Sequence, residues 1–145
     1  MTGPATGLRR RAREVAFRVA FQADVAGDSY PFAWSLREAE EALSDDQREL
    51  IQDIVRLLDT RAVEVDATLR AAAEHWPLQR LAATDRAVLR IAVAELLSRP
   101  GSPVRVVLDE AIEIARRYGG AESGGFVNGV LDRAARALRP AEFGC

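Results

Sequence analysis

Apolar side chains recur at three- and four-residue steps along almost the whole chain, a spacing that places them on one face of an α-helix. The clearest run has spacings of 3, 1, 3, 1, 3 and 3 and consists of Val104, Val107, Leu108, Ala111, Ile112, Ala115 and Tyr118. Residues 104–108 (VRVVL) suit a strand on propensity alone, but the continuing repeat favours a helix. No convincing alternating pattern is left elsewhere, so we predict an all-α fold.

Turn and capping signals divide this pattern into about seven helices. We expect them at 8–24, 32–43, 45–58, 60–74, 85–97, 104–118 and 123–138. Ser44 followed by Gln47 is a capping-box pattern, and Thr84 suits the N-cap of the fifth helix. The Trp76-Pro77 pair ends the fourth helix. The pattern leaves open whether that fourth helix is separate or a bent extension of the third.

The length of 145 residues favours one domain with one core, spanning 1–145, with flexible ends at 1–7 and 140–145. No apolar run approaches the roughly 20 residues that a membrane-spanning helix needs. The amino terminus lacks the apolar stretch of a signal peptide. We therefore expect a cytoplasmic protein.

Charge is segregated along the chain, although the net charge is only −2 and all 20 basic residues are arginine. Residues 9–18 contain five arginines and one acidic residue, whereas residues 38–66 contain ten acidic residues and three arginines. Such segregation predicts one face that attracts polyanions and another that repels them.

The chain offers little for catalysis or metal binding. His75 and Cys145 are the only histidine and cysteine, and a structural zinc site usually needs four ligands. The glycine-rich segment 119–126 (GGAESGGF) follows a helix and has neither a lysine nor the spacing of a phosphate loop. We expect no catalytic site, no metal and no cofactor, and therefore no enzyme.

The strongest chemical feature is a group of four guanidinium groups within two helical turns, at Arg9, Arg10, Arg11 and Arg13. Arginine binds phosphate through a planar fork of hydrogen-bond donors, and its affinity for nucleic acid falls with salt. The segment is therefore a candidate RNA site. A solvated basic end explains the same residues equally well.

Three further features bear on RNA contacts: Phe126, the pair Arg86 and Arg90, and Trp76. Phe126 lies on the rim of a glycine turn, where it either stacks on an unpaired base or opens a helix as an ordinary core residue. Arg86 and Arg90 share a helix face because they are four residues apart, and they extend a basic surface if exposed. Trp76 is predicted to lie in the core.

Three long segments resemble the NusB family of bacterial transcription antitermination factors. They are RRRAREVAFRVAFQAD (9–24), WPLQRLAATDRAVLRIAVAELL (76–97) and VRVVLDEAIEIARRYGGAESGGFVNGVLDRAA (104–135). The resemblance implies two small helical subdomains and binding to boxA RNA in the leader of ribosomal RNA transcripts. It also implies NusE, a small-subunit ribosomal protein, as a partner, assembly with other Nus factors on RNA polymerase, and a possible homodimer.

The same resemblance implies roles for particular residues. It assigns Arg9, Arg10, Arg11 and Arg13 to RNA phosphates, Phe126 to base stacking, Arg86 and Arg90 to further RNA contacts, and Phe21 and Asp85 to NusE. Phe21 stands where some relatives have tyrosine, so a hydroxyl contact is lost there. Gly124 and Gly125 replace residues that are often polar or basic in relatives, which predicts one missing RNA contact and a low affinity without NusE.

Two other functions compete with antitermination at this stage. One is the detached RNA-binding domain of an RNA methyltransferase system, because NusB-like domains also occur fused to such enzymes. The other is a helical protein–protein adaptor whose arginines bind acidic partners. Competition between boxA-like RNA and a scrambled RNA of equal length separates RNA binding from the adaptor role.

Overall fold

The computed structural model describes the backbone of residues 2–144 and the side chains of residues 7–144. Within that range the chain forms seven α-helices, two 3-10 helices and no strand, which confirms the all-α prediction. The α-helices are α1 (Thr2–Ala26), α2 (Tyr30–Glu40), α3 (Asp45–Thr60), α4 (Ala62–Ala72), α5 (Ala83–Ser98), α6 (Val104–Tyr118) and α7 (Ser123–Leu138). The 3-10 helices span Leu78–Arg80 and Pro140–Phe143. No helix in the described range is both long and apolar enough to cross a membrane.

Helix α5 lies at the centre and packs against α1, α3, α4, α6 and α7. Its sequence is apolar nearly all round, as expected of a helix that is buried on several sides. Helices α1, α2 and α3 pack together in one group, and α4, α6 and α7 contribute the other neighbours of α5. A single cluster of buried apolar side chains runs through both groups, so α5 joins the two helical subdomains.

Small side chains line the buried face of α1. Ala12, Ala16, Ala20 and Ala23 are all at most 6% exposed. Alanine allows close approach of neighbouring helices, and α1 packs closely against both α3 and α5. The helix ends before Gly27, whose φ of 74° is in the left-handed region that favours glycine.

One capping prediction is confirmed and the other is wrong. Ser44 and Gln47 form the expected capping box at the start of α3, with Ser44 N donating to Gln47 Oε1 at 2.8 Å. Helix α5 instead begins at Ala83 without a side-chain cap, so Thr84 is inside it. The side chain of Arg86 fixes the chain there, since it donates to the carbonyl oxygens of Leu78 and Leu81 in the preceding turn.

Helices α3 and α4 are separate, which answers the question that the sequence left open. Arg61 joins them with φ −130° and ψ 34°, a conformation outside the helix. Its guanidinium also pairs with Glu64 in the first turn of α4, at 2.7 Å from Nε to Oε1. The end of α3 and the start of α4 therefore meet at a bend rather than in one continuous helix.

Arg139 and the 3-10 helix that follows it bind the α5–α6 loop and the two helix ends beside it. Arg139 donates to the carbonyl oxygens of Leu96, Arg99 and Ser102 at 2.7–3.2 Å. Glu142 accepts a hydrogen bond from the backbone N–H of Val104, the first residue of α6. The mobility expected of 1–7 and 140–145 stays a prediction, and Met1 and Cys145 lie outside the described residues.

Candidate nucleic-acid interface

Three guanidinium groups are accessible near the start of α1. The side chains of Arg9, Arg10 and Arg11 are 46%, 44% and 52% exposed. Consecutive residues on a helix point in directions about 100° apart, so the three arginines cover a broad sector of the α1 surface. We call residues 9–11 the arginine segment.

Each arginine of this segment has one carboxylate partner on another part of the chain. The pairs are Arg9 with Asp46 (Nε–Oδ2 3.5 Å), Arg10 with Glu110 (Nη2–Oε2 2.8 Å) and Arg11 with Glu41. The hydrogen bond and the charge of Glu110 raise the pKa of Arg10. The pairs of Arg9 and Arg11 are at the surface, where an ion pair contributes only about 0–1 kcal/mol, so an incoming phosphate can replace those carboxylates. Glu110 is buried, at 6% exposed, so a phosphate at Arg10 would use the donors that this carboxylate leaves open.

Arg13 is turned inward instead. Its side chain is 6% exposed, and it meets Glu95 in a two-pronged pair at 2.8 Å (Nε–Oε1) and 2.7 Å (Nη2–Oε2). Ser102 Oγ donates to the same Glu95 carboxylate at 2.8 Å. Arg13 is therefore not part of the accessible group of arginines, and its assignment to RNA phosphate stays a prediction.

Arg86 and Arg90 are also committed to internal contacts. Their side chains are only 15% and 16% exposed. Arg86 Nη2 lies 2.6 Å from Asp24 Oδ2, and Arg90 Nε lies 3.0 Å from Asp66 Oδ1. These pairs tie α5 to α1 and α4. The expectation that they extend an exposed basic surface is therefore corrected, because their charges are neutralised and largely covered.

Two aromatic side chains meet at the surface next to the glycine turn. Phe126 is half-buried, and its ring lies edge-on to that of Trp76, with centroids 6.0 Å apart and an angle of 82° between the planes. Trp76 is 59% exposed, so the prediction that it lies in the core is wrong. Pro77 directly follows it and prevents the helix from continuing, which leaves Trp76 beyond α4. The Trp76-Pro77 pair was the feature of the sequence from which the exposure of Trp76 could have been predicted.

A cavity of about 900 Å³ lies beside this aromatic pair. Its walls come from the turn before α5, the first turn of α5 and the glycine turn before α7, and include Trp76, Arg80, Asp85, Ser123 and Phe126. We call it the aromatic cavity. The Oδ1 atom of Asp85 is screened from solvent and has no hydrogen-bond partner among the described residues. The cavity thus combines flat apolar surface with the charged side chains of Arg80, Asp85 and Glu122.

Phe21 lies on another part of the surface, beside a smaller cavity of about 280 Å³. That cavity is lined by Phe21, Val25, Arg18 and Arg37 among others, and Val25 is 61% exposed. Asp85, the other residue assigned to the NusE side, lines the aromatic cavity instead. The structure therefore does not bring Phe21 and Asp85 into one cavity.

No group of three or more His, Cys, Asp or Glu side chains suited to a metal ion occurs where side chains are described. Cys145 falls outside that range. The features that stand out are the accessible guanidinium groups and the aromatic rings of Trp76 and Phe126. Guanidinium groups bind polyanions, and aromatic rings stack on flat heterocycles.

The model of the NusB family matches residues 10–136. A transcription antitermination protein NusB of Koribacter versatilis is 40% identical over 137 residues, covering 92% of each chain. One from Anaeromyxobacter dehalogenans is 42% identical over 140 residues, covering 96% of this chain and 98% of the relative.

Solved structures of similar proteins share the fold. The structure of T. maritima NusB superposes with a TM-score of 0.83 at 35% identity, covering 94% of this chain and 97% of the other. A crystal structure of the antitermination factors NusB and NusE in complex with double-stranded RNA gives a TM-score of 0.74 at 26% identity, covering 90% and 97%.

Proposed function

Because this chain belongs to the NusB family, whose members are transcription antitermination factors and not enzymes, we propose that it binds boxA RNA of ribosomal RNA leader transcripts together with NusE. In this role it joins other Nus factors on RNA polymerase in the cytoplasm and promotes transcription of ribosomal RNA operons. A similar NusB is known in complex with NusE and double-stranded RNA, which supports both classes of partner.

The observation that carries the proposal is the accessibility of the arginine segment. A guanidinium group has five N–H donors in a planar fork, and a single carboxylate leaves several of them open to solvent. Arg9, Arg10 and Arg11 keep about half of each side chain exposed. A phosphate backbone that passes over α1 therefore binds these open donors, replaces the carboxylates of Asp46 and Glu41, and releases counterions as it does so.

Phe126 adds a contact that does not depend on charge. Its ring is partly exposed beside Trp76, and stacking of a base on an aromatic side chain contributes about 1–3 kcal/mol. Electrostatic contacts along α1 would hold the backbone, while the aromatic rings would hold a base.

NusE is proposed to dock on the face that contains Phe21. Arg18, Phe21, Val25 and Arg37 line its cavity, so apolar surface is bordered by arginines that can meet carboxylates of a partner. In the absence of NusE the same face offers a contact for a second copy of the chain. The family assigns Asp85 to NusE as well, and we propose that this residue, in the first turn of α5, is a second contact for NusE.

Binding of labelled boxA RNA, measured with and without NusE over a series of salt concentrations, tests this function. Arg11→Ala is expected to weaken binding and to reduce the salt slope by about one. The matched control is Arg56→Ala, which removes an arginine that is 73% exposed on α3 and is expected to leave the slope unchanged. Equal competition by a scrambled RNA, or an unaltered slope in Arg11→Ala, contradicts the proposal.

A further inference from the structure

The three arginines of the arginine segment differ in how firmly their side chains are held. Arg10 is 44% exposed, but its carboxylate partner Glu110, on α6, is only 6% exposed and donates nothing to solvent contact. Among the described residues, Arg11 donates one side-chain hydrogen bond to an acidic partner, and Arg9 makes an ion contact at 3.5 Å. Arg10 is therefore the member of the segment with the most contacts to a fixed partner.

Glu110 occupies one edge of the Arg10 guanidinium and leaves another edge open. Arg10 Nε donates to both carboxylate oxygens at 3.2 Å, and Nη2 donates to Oε2 at 2.8 Å. A guanidinium group has five N–H donors, so two on Nη1 and one on Nη2 have no acceptor among the described residues. Parallel donors on Nη1 and Nη2 match two oxygens of one phosphate. Arg10 can therefore bind a phosphate without leaving Glu110.

Glu110 is itself held from the interior. Arg13 Nη1 lies 3.7 Å from Glu110 Oε1, and the same guanidinium forms the two-pronged pair with Glu95. Ser102 Oγ donates to Glu95 from the α5–α6 loop. Arg10 thus stands at the outer end of a connected row of polar side chains, and the other four are at most 6% exposed. A carboxylate fixed in this way keeps its partner in one place.

An arginine that is held before binding loses less freedom when RNA arrives. Immobilising a long side chain in a complex lowers affinity by about two- to tenfold, and Arg10 has lost part of this freedom already in the free protein. The Glu110 carboxylate also repels a phosphate, but dissolved ions screen that repulsion over a distance of about 8 Å at physiological salt. The benefit of a fixed position does not depend on salt.

We propose that Glu110 is a positioning residue for RNA binding, which holds Arg10 with its Nη1–Nη2 edge directed outward as a preformed phosphate site. The inference rests on the proposed RNA-binding function and adds a residue outside the arginine segment on which that function depends. It reverses the result expected from charge alone. Loss of this acidic group weakens the binding of a polyanion instead of strengthening it.

Two substitutions of Glu110 separate position from charge. Glu110→Asp keeps the negative charge but shortens the side chain by one methylene group, which withdraws the carboxylate from Arg10. Glu110→Gln keeps the length but removes the charge and replaces one of the two acceptor oxygens by a donor group. In the full-length protein at physiological salt, both variants are expected to weaken binding of labelled boxA RNA about three- to fivefold.

Glu113→Gln is the matched control. Glu113 lies one turn further along α6, is 49% exposed and pairs with Arg116. Its charge also acts on Arg10, but no hydrogen bond joins the two side chains. Its removal is expected not to weaken RNA binding. In an Arg10→Ala background the two Glu110 variants are expected to have no further effect, because the side chain that they position is gone.

Nitrogen-15 relaxation of the Arg10 Nε–H group measures the mobility of this side chain in the free protein on the picosecond-to-nanosecond timescale. The group is expected to be ordered in the unmodified protein and mobile in Glu110→Asp. Urea unfolding of the same variants shows whether the fold is retained.

Several outcomes overturn the inference and leave the proposed function standing. One is a Glu110→Asp variant that binds boxA RNA as tightly as the unmodified protein, and another is a gain of affinity in Glu110→Gln. A third is an equal loss of affinity with and without Arg10, which would assign Glu110 to the stability of the fold alone. If the unmodified protein does not bind boxA RNA, the proposed function and the inference both fail.

Discussion

Arg13 and Glu95 form a two-pronged ion pair in the interior, with 2.8 Å between Nε and Oε1 and 2.7 Å between Nη2 and Oε2. Their side chains are only 6% and 2% exposed. The pair joins α1 to α5 immediately after the arginine segment. The orientation of the accessible arginines on α1 therefore depends on a buried contact with the central helix.

Arg13→Met is expected to destabilise the protein by about 3–5 kcal/mol, because it leaves the Glu95 carboxylate buried without a cation. Urea unfolding measures this change. The double variant Arg13→Met, Glu95→Leu should lose less stability, since apolar replacement of both partners removes the uncompensated charge. A single variant as stable as the double one would contradict this account of the pair.

Glu41→Gln is expected to strengthen RNA binding about two- to fivefold, because it frees Arg11 from an exposed ion pair that contributes up to about 1 kcal/mol. Filter binding at low salt measures the change. Glu64→Gln is the matched control, since it removes an equal charge from an exposed pair with Arg61 on α4. Equal gains in the two variants would mean that net charge, and not release of Arg11, controls affinity.

Gly119→Ala is expected to destabilise the protein by about 1–3 kcal/mol. A Cβ atom at this position would lie 2.7 Å from the carbonyl oxygen of Ala115 and 2.5 Å from Ser123 Oγ, so the end of α6 or the start of α7 must shift. Gly120→Ala meets nothing within 4 Å and serves as the control. Equal denaturation midpoints for the two variants would contradict this steric argument.

Gly125→Lys is expected to increase affinity for boxA RNA and to steepen its salt dependence by about one. Gly125 is exposed, and an added Cβ meets nothing within 4 Å, so the long side chain can reach a phosphate near the aromatic cavity. Val63→Lys adds the same charge at an 84%-exposed position on α4. A comparable steepening in that control would exclude a local contact at residue 125.

The helices were predictable because each depends on neighbours within a few residues. The apolar repeat at 104–118 and the capping box at Ser44 are local patterns, and the structure has both. The start of α5 was missed because its determinant is the side chain of Arg86, which contacts the carbonyl oxygens of the preceding turn. A rule that looks only for Ser, Thr, Asp or Asn at the cap cannot detect it.

The roles of the arginines were not predictable from local sequence. Arg10 and Arg13 are three residues apart on one helix, yet Arg10 is at the surface and Arg13 is enclosed. What separates them is Glu95, which is 82 residues away from Arg13 along the chain. Trp76 was misplaced for a related reason, since its exposure depends on where the chain turns at Pro77 and not on the helical repeat.

The contacts of Arg139 and the last 3-10 helix have a consequence for the order in which parts of the chain fold during synthesis. Arg139 binds the Leu96 carbonyl 43 residues earlier, and Glu142 binds the Val104 amide 38 residues earlier. The ribosome synthesises α5 and α6 well before Arg139 and Glu142. On a growing chain the carboxyl end of α5 and the amino end of α6 therefore stay exposed to water. Docking of residues 139–142 is therefore expected to be a late event in biogenesis.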